Sequence, residues 1–395
     1  MIKYIRFMAM AFVFSPAMIL LLIHGSSLAI FLPMSVIVLQ VVLDNLLPKY
    51  TAKPAYQHKW FLDFLLFVQV PLTMVGLFVL MWQIAPGDLF GFGAWIEKNT
   101  SLVVLESHEA FTFKDGLLSA MACGFYFSVN TLIGHELTHR LEKPISMFFG
   151  KLALALVGDS QFAISHVYAH HKNVATPLDA ATARRGENLY AFFIRSSLGQ
   201  YKESWEFETN RLRRLKKNPY GLSNQVISGL LLTSIFALCC YLLSGFDGLI
   251  CYLIFIFVAK FLFESVNYIE HYGLVRVPGE KVEPRHSWDC RNVMSTFNYL
   301  NLTRHSDHHA NARKPYWDLE IQPTAADLPL GYMASILLST IPPIWHRVSV
   351  PMLLDWDQRF ATKAEKKLAL EANTKSGLPE LINSHSLYLE QGNES

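Results

Sequence analysis

The sequence contains little charge. Only 17% of its 395 residues are Asp, Glu, Lys or Arg, whereas 52% are hydrophobic and 13% are aromatic. This composition lies outside the usual range of soluble domains and is typical of a membrane protein. Opposite charges nearly cancel to a net charge of +2, and no long basic run is present. The sequence therefore gives no indication of nucleic-acid binding.

Cysteine is scarce and is not spaced for disulfide or metal chemistry. No C-x-x-C pair occurs among the five cysteines, which are Cys123, Cys239, Cys240, Cys251 and Cys290. This pattern excludes a disulfide framework and an iron–sulfur or rubredoxin-type site. Any redox partner must then be a separate protein.

Long apolar runs predict the architecture. Six runs are each close to the roughly 20 residues that a helix needs to cross a bilayer, and they cover residues 7–23, 28–47, 61–83, 117–134, 224–243 and 248–266. A seventh run, 328–345, contains Pro342-Pro343, which would break a spanning helix, so we expect a membrane-surface or capping segment there. A second hydrophobic run closely follows the first, which favours an uncleaved first helix over a signal peptide. The sequence thus predicts an all-α membrane protein with a six-transmembrane-helix bundle.

Positive residues orient this bundle. They gather before the first run and between the second and third runs, at Lys3, Arg6, Lys49, Lys53 and Lys59. The positive-inside rule assigns both segments to the cytoplasmic side of the inner membrane. With six spans, residues 135–223 and everything after 266 fall on that side as well. We expect a membrane domain over 1–347 and a cytoplasmic tail over 348–395.

The stretch GHELTHR, at 134–140, contains the H-E-x-x-H pattern of zinc proteases. A protease would need only His135, His139, one further ligand and Glu136 as the base that activates water. It would leave the other histidine clusters of the chain without a role. A membrane metallopeptidase is therefore a remote alternative.

Nine of the fifteen histidines form four short groups at or just beyond the ends of predicted membrane helices, namely His135 and His139; His166, His170 and His171; His271; and His305, His308 and His309. Separations of three and four residues stack side chains on one helix face, so each cluster can present its imidazoles to a common point. Nine nitrogen ligands are too many for one ion and suit two ions with four or five each. No cysteine lies in the groups, and nitrogen-rich ions with open positions suit oxygen binding better than zinc storage. We therefore predict two iron ions.

The H-x3-H, H-x3-HH and H-x2-HH spacings resemble the integral-membrane diiron superfamily of fatty acid desaturases, hydroxylases and hydrocarbon monooxygenases. Three stretches are similar to the membrane alkane monooxygenase: HHKNVATPLDAATARRGENLYAFF at 170–193, NYIEHYGLVR at 267–276 and RHSDHHANARKPY at 304–316. In that family a single histidine in the N-Y-x-E-H-Y-G-L box, matching His271, joins the three-histidine boxes. Two other stretches, VVLDNLLPK at 41–49 and LLDWDQRFATKAEKKLALEANTKSGLP at 353–379, are more similar to the hydroxylase component of xylene monooxygenase.

The resemblance implies a non-haem diiron monooxygenase that uses O2 and two external electrons to hydroxylate an unactivated methyl C–H bond. The substrate would be an alkane, giving the 1-alcohol, or an alkyl-aromatic such as xylene, and the electrons would come from rubredoxin or a ferredoxin-type reductase. The sequence departs from the alkane enzymes at Ser165, at Asp289, where the usual HSWN reads HSWD, and at Arg313-Lys314-Pro315. These departures leave the substrate branch open. A lipid desaturase or hydroxylase of the same superfamily is the main alternative.

Further residues are candidates by position. The acidic residues nearest the ligands are Glu136, Glu270 and Asp307, for which hydrogen bonding to a ligand is expected more than direct ligation. A substrate tunnel in the bundle is predicted to involve Phe125, Phe127, Asn130, Phe261, Phe263 and Glu264. Ordinary helix packing is the competing explanation for the phenylalanines, and a pair with Lys260 is the competing explanation for Glu264.

Basic residues border the predicted cytoplasmic mouth: Arg184, Arg185, Arg211, Arg213, Arg214, Lys216, Lys217, Arg313 and Lys314. Docking of an acidic electron carrier and attraction to anionic lipid headgroups explain them equally well.

Overall fold

The computed structural model of the chain describes residues 2–25 and 27–384. The end of the predicted tail, 385–395, lies outside the described residues. The described part is mostly helical. Its α-helices are Ile2–Ala9, Ser15–Ile23, Phe31–Leu46, Lys59–Ile84, Phe92–Asn99, Leu105–Glu109, Phe113–Phe127, Val129–Thr138, Pro144–Leu156, Phe162–Ile164, His171–Asn173, Leu189–Arg214, Gln225–His271, Val293–Asn298, His305–Ala310, Tyr332–Ser339, Pro342–Arg359, Lys363–Thr374 and Pro379–Ile382.

Shorter elements complete the described part. Met10–Phe14 and Ser165–His170 are π-helices, and the 3₁₀-helices are Ser27–Ile30, Leu89–Gly91, Pro284–His286 and Tyr316–Asp318. Two strands of two residues each, Trp288–Asp289 and Ala326–Asp327, pair in parallel. This pairing is a small exception to the predicted all-α class.

Several helices are apolar enough to cross a membrane. In the described part, four stretches meet both the length and the composition required: Lys3–Ile23, Lys59–Ile84, Phe113–Thr138 and Gln225–His271. The predicted second run forms the 16-residue helix Phe31–Leu46, which is shorter than a usual span. The predicted fifth and sixth runs belong to one element of 47 residues, which leaves helical geometry at Ser244 and Gly245. The gap between these two predicted runs is therefore present as a break inside this element.

The predicted seventh run forms two helices. Tyr332–Ser339 has 8 residues, a length of about 12 Å that is too short to cross a bilayer. Pro342 then occupies the start of the next helix, Pro342–Arg359. Proline is favoured at a helix start, where its missing N–H has no helical partner to lose. The proline pair thus separates two helices, as its sequence predicts.

The described residues cluster into two compact units. The first unit comprises 1–39, 54–163 and 208–263. Within it, helix Val129–Thr138 packs closely on helix Pro144–Leu156 because glycines face the contact. A Cβ atom at Gly134 would lie 2.5 Å from Leu154 Cγ, and one at Gly150 would lie 2.9 Å from Thr138 Cγ2. Small residues let two apolar helices approach in this way, and the contact fixes the helix that carries His135.

The second unit comprises 40–53, 164–207 and 264–395. A buried ion pair ties its segments together: Arg185 donates to both carboxylate oxygens of Asp357, at 2.6 and 2.7 Å, and to Asn373 Oδ1 at 2.7 Å. The Arg185 guanidinium is therefore engaged inside the unit, and its expected role in docking a partner is wrong. Arg184, the preceding residue, is exposed.

Candidate metal centre

Seven of the nine predicted histidine ligands lie in the second unit, on three stretches of the chain. Three of them, called here the first histidine set, are His166, His171 and His308. The Nε2 atom of His171 lies 3.0 Å from Nε2 of His166 and 3.2 Å from Nε2 of His308. The Nε2 atoms of His166 and His308 are 3.5 Å apart. Three imidazole nitrogens from two separate sequence boxes thus face one point.

The other four histidines form the second histidine set: His170, His271, His305 and His309. Each offers a ring nitrogen, and these four atoms lie within 4.8 Å of one another. The Nε2 atom of His305 is 3.0 Å from Nε2 of His271 and 3.1 Å from Nε2 of His309. All four side chains are buried. His271, the single histidine of its box, therefore joins members of both three-histidine boxes.

The spacing of these nitrogens fits a common metal ion. Two nitrogens that are each about 2.1 Å from one ion and about 90° to 110° apart are separated by about 3.0 to 3.4 Å. The closest nitrogen pairs in both sets fall at or near this range. The buried Nε2 atom of His170 has no hydrogen-bond partner among the described residues. A buried polar atom of this kind requires a partner, and a metal ion would supply one.

Each three-histidine box is divided between the two sets. Residues Ser165–His170 form a π-helix, whose wider turn places His171 beside His166 and directs His170 to the second set. In the last box, His305 and His309 share a face of helix His305–Ala310, and His308 points to the first set. The sequence predicted that each box faces one point. In the structure, each box instead contributes to two.

His135 and His139 lie at the end of helix Val129–Thr138, in the first unit. Their ring centroids are 5.0 Å apart and the rings meet edge to face. The ring of Phe162 packs against His135 at 5.9 Å. The H-x3-H spacing therefore places the two imidazoles side by side, as its sequence predicts.

Carboxylates adjoin two members of the second histidine set. Asp179 Oδ2 lies 2.8 Å from Nδ1 of His170, and both residues are buried. Glu270 Oε2 lies 3.3 Å from Nε2 of His305, while Tyr332 donates to the other Glu270 oxygen at 2.9 Å. Glu270 was a candidate from the sequence, whereas Asp179 was not. Asp179 lies nine residues beyond His170, so spacing gave no signal; only the folded loop brings the pair together.

The other acidic candidates have different partners. Asp307 accepts hydrogen bonds from Asn311, Lys314, Gln322 and the backbone N–H of Glu320, which anchors the segment that follows the last box. Glu136 accepts from Arg140 Nη2 at 2.9 Å. A carboxylate that is engaged by a guanidinium is a poor base for activating water, which disfavours a zinc protease.

Asp289 supports the last histidine box from the short strand Trp288–Asp289. Its carboxylate accepts from the N–H and the hydroxyl of Ser306, both at 2.8 Å. Burial raises the pKa of Asp289 to about 7, although the two bonds from Ser306 act to lower it. The first turn of helix His305–Ala310 is thus held by a side chain from a distant segment.

The imidazole environment favours the neutral form. Burial lowers the pKa of His309 well below its ordinary value, and positive charge on His171 or His305 would lower it further. Burial would raise the pKa of Asp179, but the adjacent His170 and the hydroxyl of Thr182 hold it below its ordinary value. Neutral imidazole nitrogen is the form that binds a metal.

The tunnel candidates are placed as follows. Phe127 is buried and packs on Gly76, where an added Cβ would lie 2.6 Å from the Phe127 ring. Asn130 is buried and donates to Thr73 Oγ1 at 2.7 Å, and its Oδ1 atom has no hydrogen-bond partner among the described residues. Phe263 packs edge to face on Phe162 at 4.8 Å.

The remaining candidates are half-buried or bonded. Phe125 and Phe261 are half-buried, and Phe261 stacks on Phe257 at 6.3 Å. Glu264 is buried and accepts from Ser196 and Gln200, at 2.7 and 2.8 Å. Lys260, the alternative partner of Glu264, donates to Asp159 at 2.8 Å.

Comparisons with known proteins show which proteins the chain is similar to. Residues 116–323 match the family described as Fatty acid desaturase. The chain is 34% identical over 272 residues to an alkane 1-monooxygenase of Acinetobacter baylyi, a match that covers 67% of this chain and 66% of that enzyme. It is 31% identical over 314 residues to an alkane 1-monooxygenase of Ectopseudomonas oleovorans, covering 78% of this chain and 73% of the enzyme. It is 33% identical over 345 residues to the xylene/toluene monooxygenase hydroxylase component XylM of Pseudomonas putida, covering 86% of each chain.

Proposed function

The chain belongs to the fatty acid desaturase family and, within it, to the group of alkane 1-monooxygenases and the xylene monooxygenase hydroxylase component; from this membership we propose that it is a membrane monooxygenase of hydrocarbons. The enzyme uses O2 and two external electrons to hydroxylate a methyl C–H bond, either of an alkane or of an alkyl-aromatic. The observation that carries the proposal is the buried second histidine set, whose four ring nitrogens lie within 4.8 Å of one another.

We propose that nine histidines hold two iron ions. The second histidine set binds one ion. The first set binds the other, and His135 and His139 supply its remaining ligands. The support is the count of nitrogens, four for one ion and five for the other, and the adjacent rings of His135 and His139. A bound iron pair supplies the oxygen-activating chemistry that protein side chains lack.

The four imidazoles of the second histidine set are buried, and neutral imidazoles carry no charge. Neutral imidazoles bring no negative charge to offset two cations, so a carboxylate or a small bound anion must balance the pair. Glu270 is one carboxyl group close to the second histidine set: Tyr332 donates to one of its oxygens at 2.9 Å, and the other lies 3.3 Å from His305 Nε2. Burial of His271, His305 and His309 excludes water, which favours reaction of a hydrocarbon over side reactions.

The apolar substrate is proposed to reach the centre from the bilayer along the helices that carry Phe125, Phe127, Phe261 and Phe263. Buried Asn130 is the best supported polar residue of this route, because its Oδ1 atom lacks a hydrogen-bond partner among the described residues. An alcohol product offers a hydroxyl group that such an acceptor can bind.

The proposal also includes the topology. The chain crosses the inner membrane six times and has its histidines at the cytoplasmic face. Residues 1–347 form the membrane domain, and residues 348–395 form a cytoplasmic tail. The support is the distribution of Lys and Arg between the apolar runs. Reporter fusions at residues 100 and 384 test the orientation. A periplasmic reporter should be active only at 100, and the opposite result would reverse the topology.

Product analysis tests the function. The purified protein is supplied with iron, labelled O2 and a rubredoxin or ferredoxin-type reductase system, and then with octane, dodecane, toluene or p-cymene. We expect one labelled oxygen atom in a primary alcohol from at least one substrate. Introduction of a double bond into a lipid, with no hydrocarbon oxidised, would instead identify a desaturase. A single bound zinc and peptide cleavage would identify a peptidase.

A further inference from the structure

We propose that Asp179 is the positioning residue that orients His170 and thereby controls occupancy of one metal ion, the one held by the second histidine set. This inference rests on the proposed function for the identity of the metal only. It assigns a role to a residue that lies outside all four histidine boxes, in the loop that follows the second box.

Asp179 is built into its position by the loop around it. Its Oδ2 atom accepts from Thr182 Oγ1 at 2.6 Å in addition to the contact with His170, and its Oδ1 atom accepts from the N–H of Ala181 at 3.1 Å. The Thr182 hydroxyl in turn accepts from the N–H of Ala175 at 2.9 Å. The carboxylate therefore has one fixed orientation, and the loop 175–182 is closed around it.

This geometry fixes the proton on the His170 ring. A carboxylate only accepts, so the 2.8 Å contact requires the hydrogen to be on Nδ1, and the lone pair is then on Nε2. Nε2 is the buried atom that has no hydrogen-bond partner among the described residues. The His170 ring lies 4.8 Å, centroid to centroid, from the rings of both His271 and His309. Asp179 thus presents the His170 lone pair to the other members of its set.

The contact is specific to one set. Asp179 adjoins His170, while the neighbouring His171 belongs to the first histidine set, with its Nε2 atom 3.0 Å from His166. Loss of a carboxylate that orients a metal-binding histidine lowers metal affinity by about 10 to 100-fold. Removal of Asp179 should therefore weaken the binding of the ion held by the second histidine set and leave the other ion bound.

A cavity gives access to this pair. Asp179 and Thr182 line a cavity of about 650 Å³, together with Gly273, Leu274 and the basic residues Arg184 and Lys375. Without Asp179, the cavity lining has two acidic side chains, Glu187 and Glu371, and four basic ones, Arg184, Arg185, Arg276 and Lys375. This excess of positive charge attracts small anions. Formate or acetate can therefore enter and replace a deleted Asp179 carboxylate. Chemical rescue of this kind is a result that a purely structural role would not give.

The experiment measures iron per chain and the electron paramagnetic resonance spectrum of wild type, Asp179→Ala, Asp179→Asn and Asp179→Glu, at limiting free iron. Asp44→Asn is the matched control, because Asp44 is also buried in the second unit and accepts from Met294 and Ser295 rather than from a histidine. We expect about half of the wild-type iron in Asp179→Ala and a signal of mononuclear iron. Formate at about 10 to 100 mM, well above the roughly millimolar affinity of a weak anion site, should restore the lost iron. The Asp44→Asn control should keep both ions.

Three results would overturn the proposal: full iron in Asp179→Ala, equal loss of both ions, or no recovery with formate in a folded variant. If Asp179→Ala does not fold, the Asn and Glu variants decide the matter. Asn keeps the acceptor but not the charge, and we expect it to bind the affected ion about 10-fold more weakly than wild type. Failure of the proposed function can be distinguished from failure of this inference. In the first case, the wild type would bind two irons and oxidise no hydrocarbon.

Discussion

The Nε2 atoms of His166 and His171 lie 3.0 Å apart, although five positions separate the two residues in the sequence. A regular α-helix would place His166 beside His170 instead. The π-helix Ser165–His170 widens the turn and moves the contact by one residue. Single π-helical turns often occur at functional sites, and here the turn distributes one box over the two histidine sets.

His271 is the only histidine of its box, and no neighbour in the chain can replace it. We expect His271→Ala to abolish hydrocarbon oxidation and to remove half or more of the iron, because the second histidine set would keep only three ligands. Metal analysis and product analysis of the purified variant check this. His58→Ala, at an exposed histidine, should change neither. Full iron and turnover in His271→Ala would show that this ligand is wrongly assigned.

The carboxylate of Asp289 accepts two hydrogen bonds from Ser306, and these bonds need only an acceptor. Because the pKa of Asp289 is raised to about 7 by burial, a neutral side chain is also compatible with this position. We expect Asp289→Asn to keep more than half of the activity. Asp289→Ala should lower the free energy of unfolding by about 1 to 2 kcal/mol, since it leaves the Ser306 N–H without its acceptor. Equal damage by both substitutions would contradict this account.

Arg184 and Arg185 are adjacent but have opposite environments. Arg185→Met removes the two-bond partner of buried Asp357, and we expect a loss of about 3 to 5 kcal/mol in the free energy of unfolding. Arg184→Met, at an exposed position, should change it by less than about 0.5 kcal/mol. Thermal unfolding in detergent measures both. If electron transfer from the carrier slows in Arg184→Met at unchanged stability, docking at this surface gains support.

Glu365 makes stability depend on pH. Burial alone would raise its pKa, but hydrogen bonds from His286 and Arg285 lower it from 4.5 to about 2. Because the pKa is lower in the folded state, the stabilisation is complete above about pH 4.5 and is lost as the pH falls toward 2. The difference corresponds to about 3 kcal/mol.

We expect Glu365→Gln to flatten the dependence of the unfolding free energy on pH between about 5 and 2. Glu371→Gln, on the exposed face of the same helix, is the control and should leave the curve unchanged. Chemical unfolding at several pH values in detergent measures the slope. A slope that Glu365→Gln does not change would show that other carboxylates cause it.

The sequence alone predicted the class of protein, the position of most apolar helices and the family. Hydrophobic runs and histidine spacings are local patterns, so they can be read from the sequence without knowledge of the fold. Breaks were readable for the same reason: Pro342-Pro343 separates two helices, and the 244–247 turn interrupts the element Gln225–His271. The number of crossings was less accessible, because Phe31–Leu46 is shorter as a helix than as an apolar run.

Tertiary structure alone decided which histidines meet and which residues support them. The histidine spacing could not predict that a π-helix places His166 and His170 in different histidine sets, because the type of helix depends on the packing around it. It also could not foresee that Asp179 reaches His170, or that Arg185 is buried while Arg184 is not. Such contacts join segments that are distant along the chain, and their energy depends on burial and hydrogen bonding that exist only once those segments have folded together.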